Sequence, residues 1–160
     1  MKPPIIQTRG AVLSSKTPIA YIDIRVFAHA TEDLDKVLAA VRNVLPSNSV
    51  DNIVFKKSNL TGHHGNPIIL CETRIKERGA VQTLAEKLSQ GLSMLDKESL
   101  SNEIGEHVDR GNLYVRLDKQ SAYLNRFRLG SADPIHLKIH FRKHTIEEIT
   151  DTCRKIGLLA

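Results

Sequence analysis

Ile135 to Arg142 reads I-H-L-K-I-H-F-R, and this alternation decides the fold. Neighbouring side chains on a strand point to opposite faces. Ile135, Leu137, Ile139 and Phe141 therefore share one face, and His136, Lys138, His140 and Arg142 share the other. A helix would scatter both sets around its axis, so the stretch is a strand. One side belongs in a core. The other is either a solvated sheet face or a cationic ribbon suited to phosphate.

The same pattern recurs upstream. From Ile19 to Ala30 the apolar set is Ala20, Ile22, Ile24, Val26 and Ala28, while Tyr21, Asp23, Arg25, Phe27 and His29 face away. Leu113, Val115 and Leu117 alternate with Tyr114, Arg116 and Asp118. Val50–Leu60 and Ile68–Lys76 are two further strands, joined through Thr61–Pro67 as a long-looped hairpin, with Ile69, Cys71 and Ile75 inward. Asp109-Arg110-Gly111-Asn112 is a turn, and Arg126–Leu129 is a short extra strand.

Helices fall between the strands. Thr31 is placed to cap a helix carrying Leu34, Val37, Leu38, Val41 and Leu45, which Pro46 ends. Val81, Leu84, Leu88 and Leu92 mark a second helix over 80–92, and residues 96–106 a third. Thr145 and Glu148 form the capping box of a last helix through Ile156, which Gly157 stops. The order β-α-β-β-α-α-β-(β)-β-α predicts an α+β fold. Its sheet is mostly antiparallel, with helices packed on one face and the other face open.

At 160 residues and 41% hydrophobic content the chain fits one domain, 19–160, preceded by a flexible arm over 1–18. No apolar run reaches the roughly 18 residues of a membrane span. The start M-K-P-P-I-I-Q-T-R-G lacks the apolar stretch of a signal peptide. Cys71 and Cys153 make no disulfide framework or metal spacing, so a reducing, cytoplasmic setting is expected. The net charge of +5 is unevenly spread. Residues 1–18 carry Lys2, Arg9 and Lys16 with no acid, and residues 110–144 hold 8 basic against 2 acidic side chains. Such asymmetry favours a polyanionic partner.

The expected open face collects Tyr21, Arg25, Phe27, Tyr114, Arg116, His136, Lys138, His140 and Arg142. Rings that stack and cations that neutralise phosphate suit single-stranded RNA or an RNA helix backbone. Asp23 and Asp118 on that side stand ready to pair with Arg25 and Arg116 and tie up charge. Gly62-His63-His64-Gly65-Asn66-Pro67 reads in three ways. It is a tight connection with incidental histidines, a probe that enters an RNA minor groove, or a metal site completed by His29 or Cys71. Adjacent histidines diverge, which disfavours one ion. His136, His140 and His144 are four apart, roughly 13 Å on a strand, too far to share a metal. Leu117 to Ala122 ends the fourth strand with Lys119 and Gln120 turned to solvent or phosphate. No nucleophile elbow, dinucleotide fingerprint or phosphate-cradling glycine loop occurs.

The combination H-A-T-E-D (His29 to Asp33), G-H-H-G-N-P (Gly62 to Pro67), G-N-L-Y-V-R-L-D-K-Q (Gly111 to Gln120) and I-H-L-K-I resembles an archaeal family described as RNA-binding proteins or exosome subunits. The match runs from about Ile19 to Arg142. The resemblance implies a fold like that of the 5S rRNA-binding ribosomal protein, and a cytoplasmic archaeal origin. It names no catalytic residue.

The expectation is therefore a non-catalytic RNA-binding protein, without metal or cofactor, whose partners are structured or single-stranded RNA and RNA-processing proteins such as the exosome. Its contact residues would be Arg25, His63, His64, Asn66, Tyr114, Arg116, Lys119, His136, Lys138, His140 and Arg142. The alternative is an adaptor or homodimerisation module that uses the sheet face without touching RNA.

Overall fold

Strict alternation builds the centre of the protein. In the computed structural model, which describes residues 17–47 and 52–160, β1 (Ile19–His29), β5 (Asn112–Leu117) and β6 (Ile135–Phe141) lie side by side. They belong to a six-stranded antiparallel sheet of order β2-β3-β1-β6-β5-β4, completed by β2 (Lys56–Thr61), β3 (Pro67–Ile75) and β4 (Val108–Asp109). Cross-strand register puts Ile22 between Ile75 and Ile139, and Leu137 between Ile24 and Val115. Ile22, Ile24, Leu137, Ile139, Leu113, Val115 and Leu117 are essentially without solvent contact. Each such side chain contributes about 1.5–3 kcal/mol of burial.

The helices cover that face. They are α1 (Leu34–Val44), α2 (Arg78–Gly91), α3 (Met94–Asn102), α4 (Ile104–His107), α5 (Lys119–Tyr123) and α6 (Ile146–Ile156). α1 buries Val37, Leu38, Val41 and Val44 at helical spacing, α2 buries Val81, Leu84 and Leu88, and α6 buries Ile149 and Cys153. These side chains join one core cluster with the inward strand residues. The α+β architecture with a helix-covered and an open sheet face is thus as the alternation predicts. No helix among the described residues is long and apolar enough to cross a membrane.

Several boundaries differ from the sequence reading, each for a local reason. Asp33, not Thr31, caps α1, its carboxylate accepting the Asp35 N–H at 2.9 Å. Glu32 is turned back to accept the His29 N–H, so the chain makes a turn before the helix begins. β2 starts at Lys56 rather than Val50; residues 48–51 lie outside the described residues, and Ile53 to Phe55 approach the sheet unpaired, with Ile53 and Phe55 against the core. The expected strand over 126–129 is a single bridge, Leu117 to Leu129. The helix read over 96–106 begins at Met94 and splits at Glu103, which gives α3 and α4. Helix α5 escapes the sequence reading altogether: Asp118 ends β5 and caps it through the Ser121 N–H.

The turns fall where glycine allows them. Arg110 and Gly111, at φ 52° and 84°, close the β4–β5 hairpin with two left-handed residues. Thr145 and Glu148 make the capping box of α6, and Gly157 ends that helix at φ 88°. The expected arm over 1–18 falls mostly outside the described residues. Its last two, Thr17 and Pro18, are tied to the end of β6, their carbonyls accepting the Arg142 Nε–H and backbone N–H.

Candidate nucleic-acid interface

Register decides which side chains meet on the uncovered face. One cross-strand row runs Lys56, Glu72, Arg25, His136, Arg116 across β2, β3, β1, β6 and β5. The next runs Arg74, Asp23, Lys138, Tyr114. A third holds Tyr21, His140 and Asn112. The first two rows line a shallow trough of about 860 Å³ whose walls come from strand residues alone. No helix of the described residues roofs it. Five cations (Lys56, Arg74, Arg25, Lys138, Arg116) face two carboxylates (Asp23, Glu72), so the platform carries a net charge of about +3 with neutral histidines.

The charges are not equivalent. Asp23 accepts two hydrogen bonds from Arg74, at 2.7 and 2.9 Å, and Lys138 stands 3.7 Å away. The same Arg74 guanidinium lies 3.8 Å over the Tyr21 ring. The sequence reading expected Asp23 to pair with Arg25. Cross-strand register places Arg74 opposite Asp23 instead, and the hydrogen bond raises the Arg74 pKa. Asp118 does not pair with Arg116 either. It is held by the Ser121 hydroxyl at 2.6 Å and by the Ser121 N–H, which lower its carboxyl pKa. Among the described residues Arg25 packs on the Phe27 ring at 5.7 Å, and neither it nor Arg116 has a hydrogen-bond or ion-pair partner. Their guanidiniums are therefore uncommitted.

The surroundings of both sheet histidines favour the neutral imidazole. Burial pulls the His136 pKa down, and Arg25 and Arg116 on either side pull it further, against Asp133. His140 is lowered by burial and by His144, Lys138 and Arg74; it stacks on Tyr21 at 4.7 Å and bonds Asn112 through Nδ1 at 2.7 Å. His140 is thus fastened within the sheet, whereas among the described residues His136 has no hydrogen-bond partner and sits edge-on to Phe27 at 6.3 Å. Tyr114, 36% exposed, presents its ring beside Lys138 and Arg116. Exposed Arg142 continues the β6 cations past the strand end.

Other sequence-predicted contacts lie elsewhere. His63, His64 and Asn66 are exposed in the β2–β3 turn, the two rings edge-on at 5.0 Å. The turn is closed by the Gly62 N–H to the Asn66 carbonyl at 2.6 Å, with Gly65 at φ 81°. It sits about 20 Å along β2 from the Lys56 row, so the turn and the trough are separate places. Between them the open face is mostly apolar, with Leu70 beside Phe27 and Leu60 beside Ile68, and Ser58 and His29 at the ends of those rows.

Lys119 corrects the sequence reading: it does not face solvent or phosphate. Its ammonium, with a side chain only 12% exposed, donates to Asp133 at 2.6 Å, to Glu32 at 3.1 Å and to the Phe27 carbonyl at 2.8 Å. His29, Glu32 and Asp133 bring ligand-type atoms within 4.8 Å of one another, but the Lys119 ammonium already binds two of the three. The cluster joins residues 87 positions apart, and no sequence spacing announces it.

Three comparisons bear on this arrangement. A family model described as RNA binding matches residues 21–141, which spans β1 through β6 and so the whole platform. The RNA-binding protein PAB1135 of Pyrococcus abyssi is 35% identical over 130 residues, covering 79% of this chain and 84% of its own length. The structure of Mth689, a DUF54 protein from Methanothermobacter thermautotrophicus, superposes with a TM-score of 0.74 at 30% identity, over 88% of this chain and 99% of that one. AF2318, another DUF54 structure, shares the fold at a TM-score of 0.74. On the family model and the identity with PAB1135, this chain belongs to the RNA-binding family.

Proposed function

We propose that this protein binds RNA non-catalytically through the trough on the open face of its sheet. The observation that carries the reading is the pair of uncommitted guanidiniums, Arg25 and Arg116, on an uncovered face with net positive charge. Folded proteins ordinarily offset like charges set close together on a sheet, because repulsion there is destabilising. Glu72 opposite Arg25 offsets only part of that charge, and an anionic ligand supplies the rest. Tyr114 gives a stacking surface next to those cations, which suits an unpaired base. The name of the Pyrococcus abyssi relative and of the family supports the same partner.

Fluorescence anisotropy with single-stranded and hairpin RNA, at two salt concentrations, tests the proposal. Saturable binding that weakens with salt is the expected result. Absence of saturable binding to either RNA at low salt refutes it. The family resemblance extends the proposal to a cytoplasmic role beside RNA-processing proteins such as the exosome, which co-purification from an archaeal extract tests.

A second reading rests on the apolar end of the same face. Leu60, at 42% exposed, and Ile68 sit there next to the open edge of β2. An edge strand with free backbone groups suits pairing with a second copy or an adaptor partner. Light scattering after size exclusion separates the readings: a monomer across micromolar concentrations removes the homodimer.

A further inference from the structure

The platform has an end, and that end is built differently from the rest. Arg25 and Arg116 are both direct cross-strand partners of His136, so one imidazole stands between two guanidiniums at neighbouring-strand spacing. None of the three has a hydrogen-bond or ion-pair partner among the described residues. The adjacent row is the reverse, with Asp23 holding Arg74 and lying near Lys138.

Beyond the His136 row no uncommitted cation follows on β1, β3 or β6 among the described residues, and beside β5 the exposed Arg128 stands against Asp118. β6 begins at Ile135, and the next open-face neighbours are Phe27 and Leu70. Past them stand the Glu32 and Asp133 carboxylates, engaged by Lys119 and His29. An RNA backbone running along β1 and β6 finds cations up to this row, then Phe27 and Leu70 and the Glu32 and Asp133 carboxylates. A phosphate seated here is favoured when no further phosphate must follow it.

We infer that Arg25, His136 and Arg116 form a seat for the terminal phosphate monoester of an RNA strand. The inference rests on the proposed RNA binding and specifies which part of the ligand this row takes. A phosphate monoester offers three acceptor oxygens and up to two negative charges, against two free oxygens and one charge for an internal diester. Two forked guanidiniums and an imidazole N–H meet that demand, and the guanidinium fork matches phosphate geometry. The charged groups facing His136 are Arg25 from β1, Arg116 from β5 and Asp133 from the loop before β6, with Lys138 two positions on along its own strand. Burial and the two arginines keep the free imidazole neutral. An arriving dianion outweighs them, and the imidazole takes a proton from solvent and becomes a third charged donor. The chemistry serves a 5′ or a 3′ phosphate alike.

The test compares one short oligouridylate in three forms: 5′-phosphorylated, 3′-phosphorylated and with hydroxyl ends. Anisotropy competition on the full chain should show one phosphorylated form binding about tenfold tighter than the hydroxyl form, the scale of one charge-assisted hydrogen bond. Which form wins assigns the end. His136→Gln should shrink the preference to within about twofold, on that same scale. NMR of the wild-type imidazoles supplies a second readout that needs no variant, with the His136 titration moving to higher pH only with the preferred oligonucleotide. Equal affinity for all three forms, or an unmoved His136 titration, overturns the seat while leaving RNA binding in place. Failure of the wild type to bind any form overturns the proposed function and the seat with it.

Discussion

Replacing Arg25 and Arg116 together by alanine gives the platform's electrostatics a quantitative test. The seven fixed charges of the two trough rows leave a net +3, which the double variant reduces to +1. A protein that neutralises three phosphates of a single strand has a log–log salt slope of about −2, and one that neutralises a single phosphate about −0.7. Between about 50 and 200 mM salt the wild type should therefore lose roughly 20-fold in affinity, and the double variant only about threefold. Anisotropy titrations of single-stranded RNA at four or so salt concentrations measure both slopes. Both side chains are exposed and have no hydrogen-bond or ion-pair partner among the described residues, so fold and melting temperature should hold, which circular dichroism checks. Arg154→Ala on α6, away from the sheet face, is the control and should leave the slope unchanged. A double variant with the wild-type slope would refute the reasoning, because the contacts would then lie elsewhere.

Lys119→Met should destabilise the fold by about 2 kcal/mol, discounted for the partial exposure of Glu32 and Asp133, and lower Tm by about 6 °C while RNA affinity stays within about twofold. Leu137→Ala, in the centre of the sheet, should cost about 3 kcal/mol in urea unfolding. Asp118→Ala should cost about 1 kcal/mol at neutral pH through loss of the α5 cap. The folded carboxyl lies below its ordinary 3.8, so its contribution is present above that pH and lost as pH falls through the folded value; wild type and variant should converge in acid. His136 acts in the same direction at higher pH. Its folded value is below the ordinary 6.5, so the unfolded chain takes the proton first and stability should fall as pH drops below 6.5. His136→Gln should flatten that part of a Tm-against-pH curve.

The strands that build the platform were legible because one side of each is buried, save at the start of β1, where an irregularity puts Ile19 in the core in place of Ala20. Ile22, Ile24 and Val26, or Leu137 and Ile139, cannot be shifted by one residue without turning the core outward. The β2 edge has no such constraint: all its residues are exposed or half-exposed, and its start was misread. Helix α5 has five residues and a polar first turn, so D-K-Q-S looked like a fraying strand end. Charge pairing was the least legible. Asp23 and Arg25 are near in sequence, yet two residues along a strand are about 6.6 Å apart. Arg74 comes from another strand, and only the register sets it against Asp23. Lys119 met the same limit, since its partners Glu32 and Asp133 arrive from distant segments. The candidate site was therefore readable as a face, but not in which of its cations are free.

The most direct test of the open-face account is a chemical-shift map of the backbone amides on titration with single-stranded RNA. The account predicts perturbations centred on β1, β5 and β6 around Arg25, Tyr114, Arg116 and His136, fading toward Leu60 and the His63–His64 turn. Perturbations concentrated on the helical layer, at α1, α2 or α6, would contradict it.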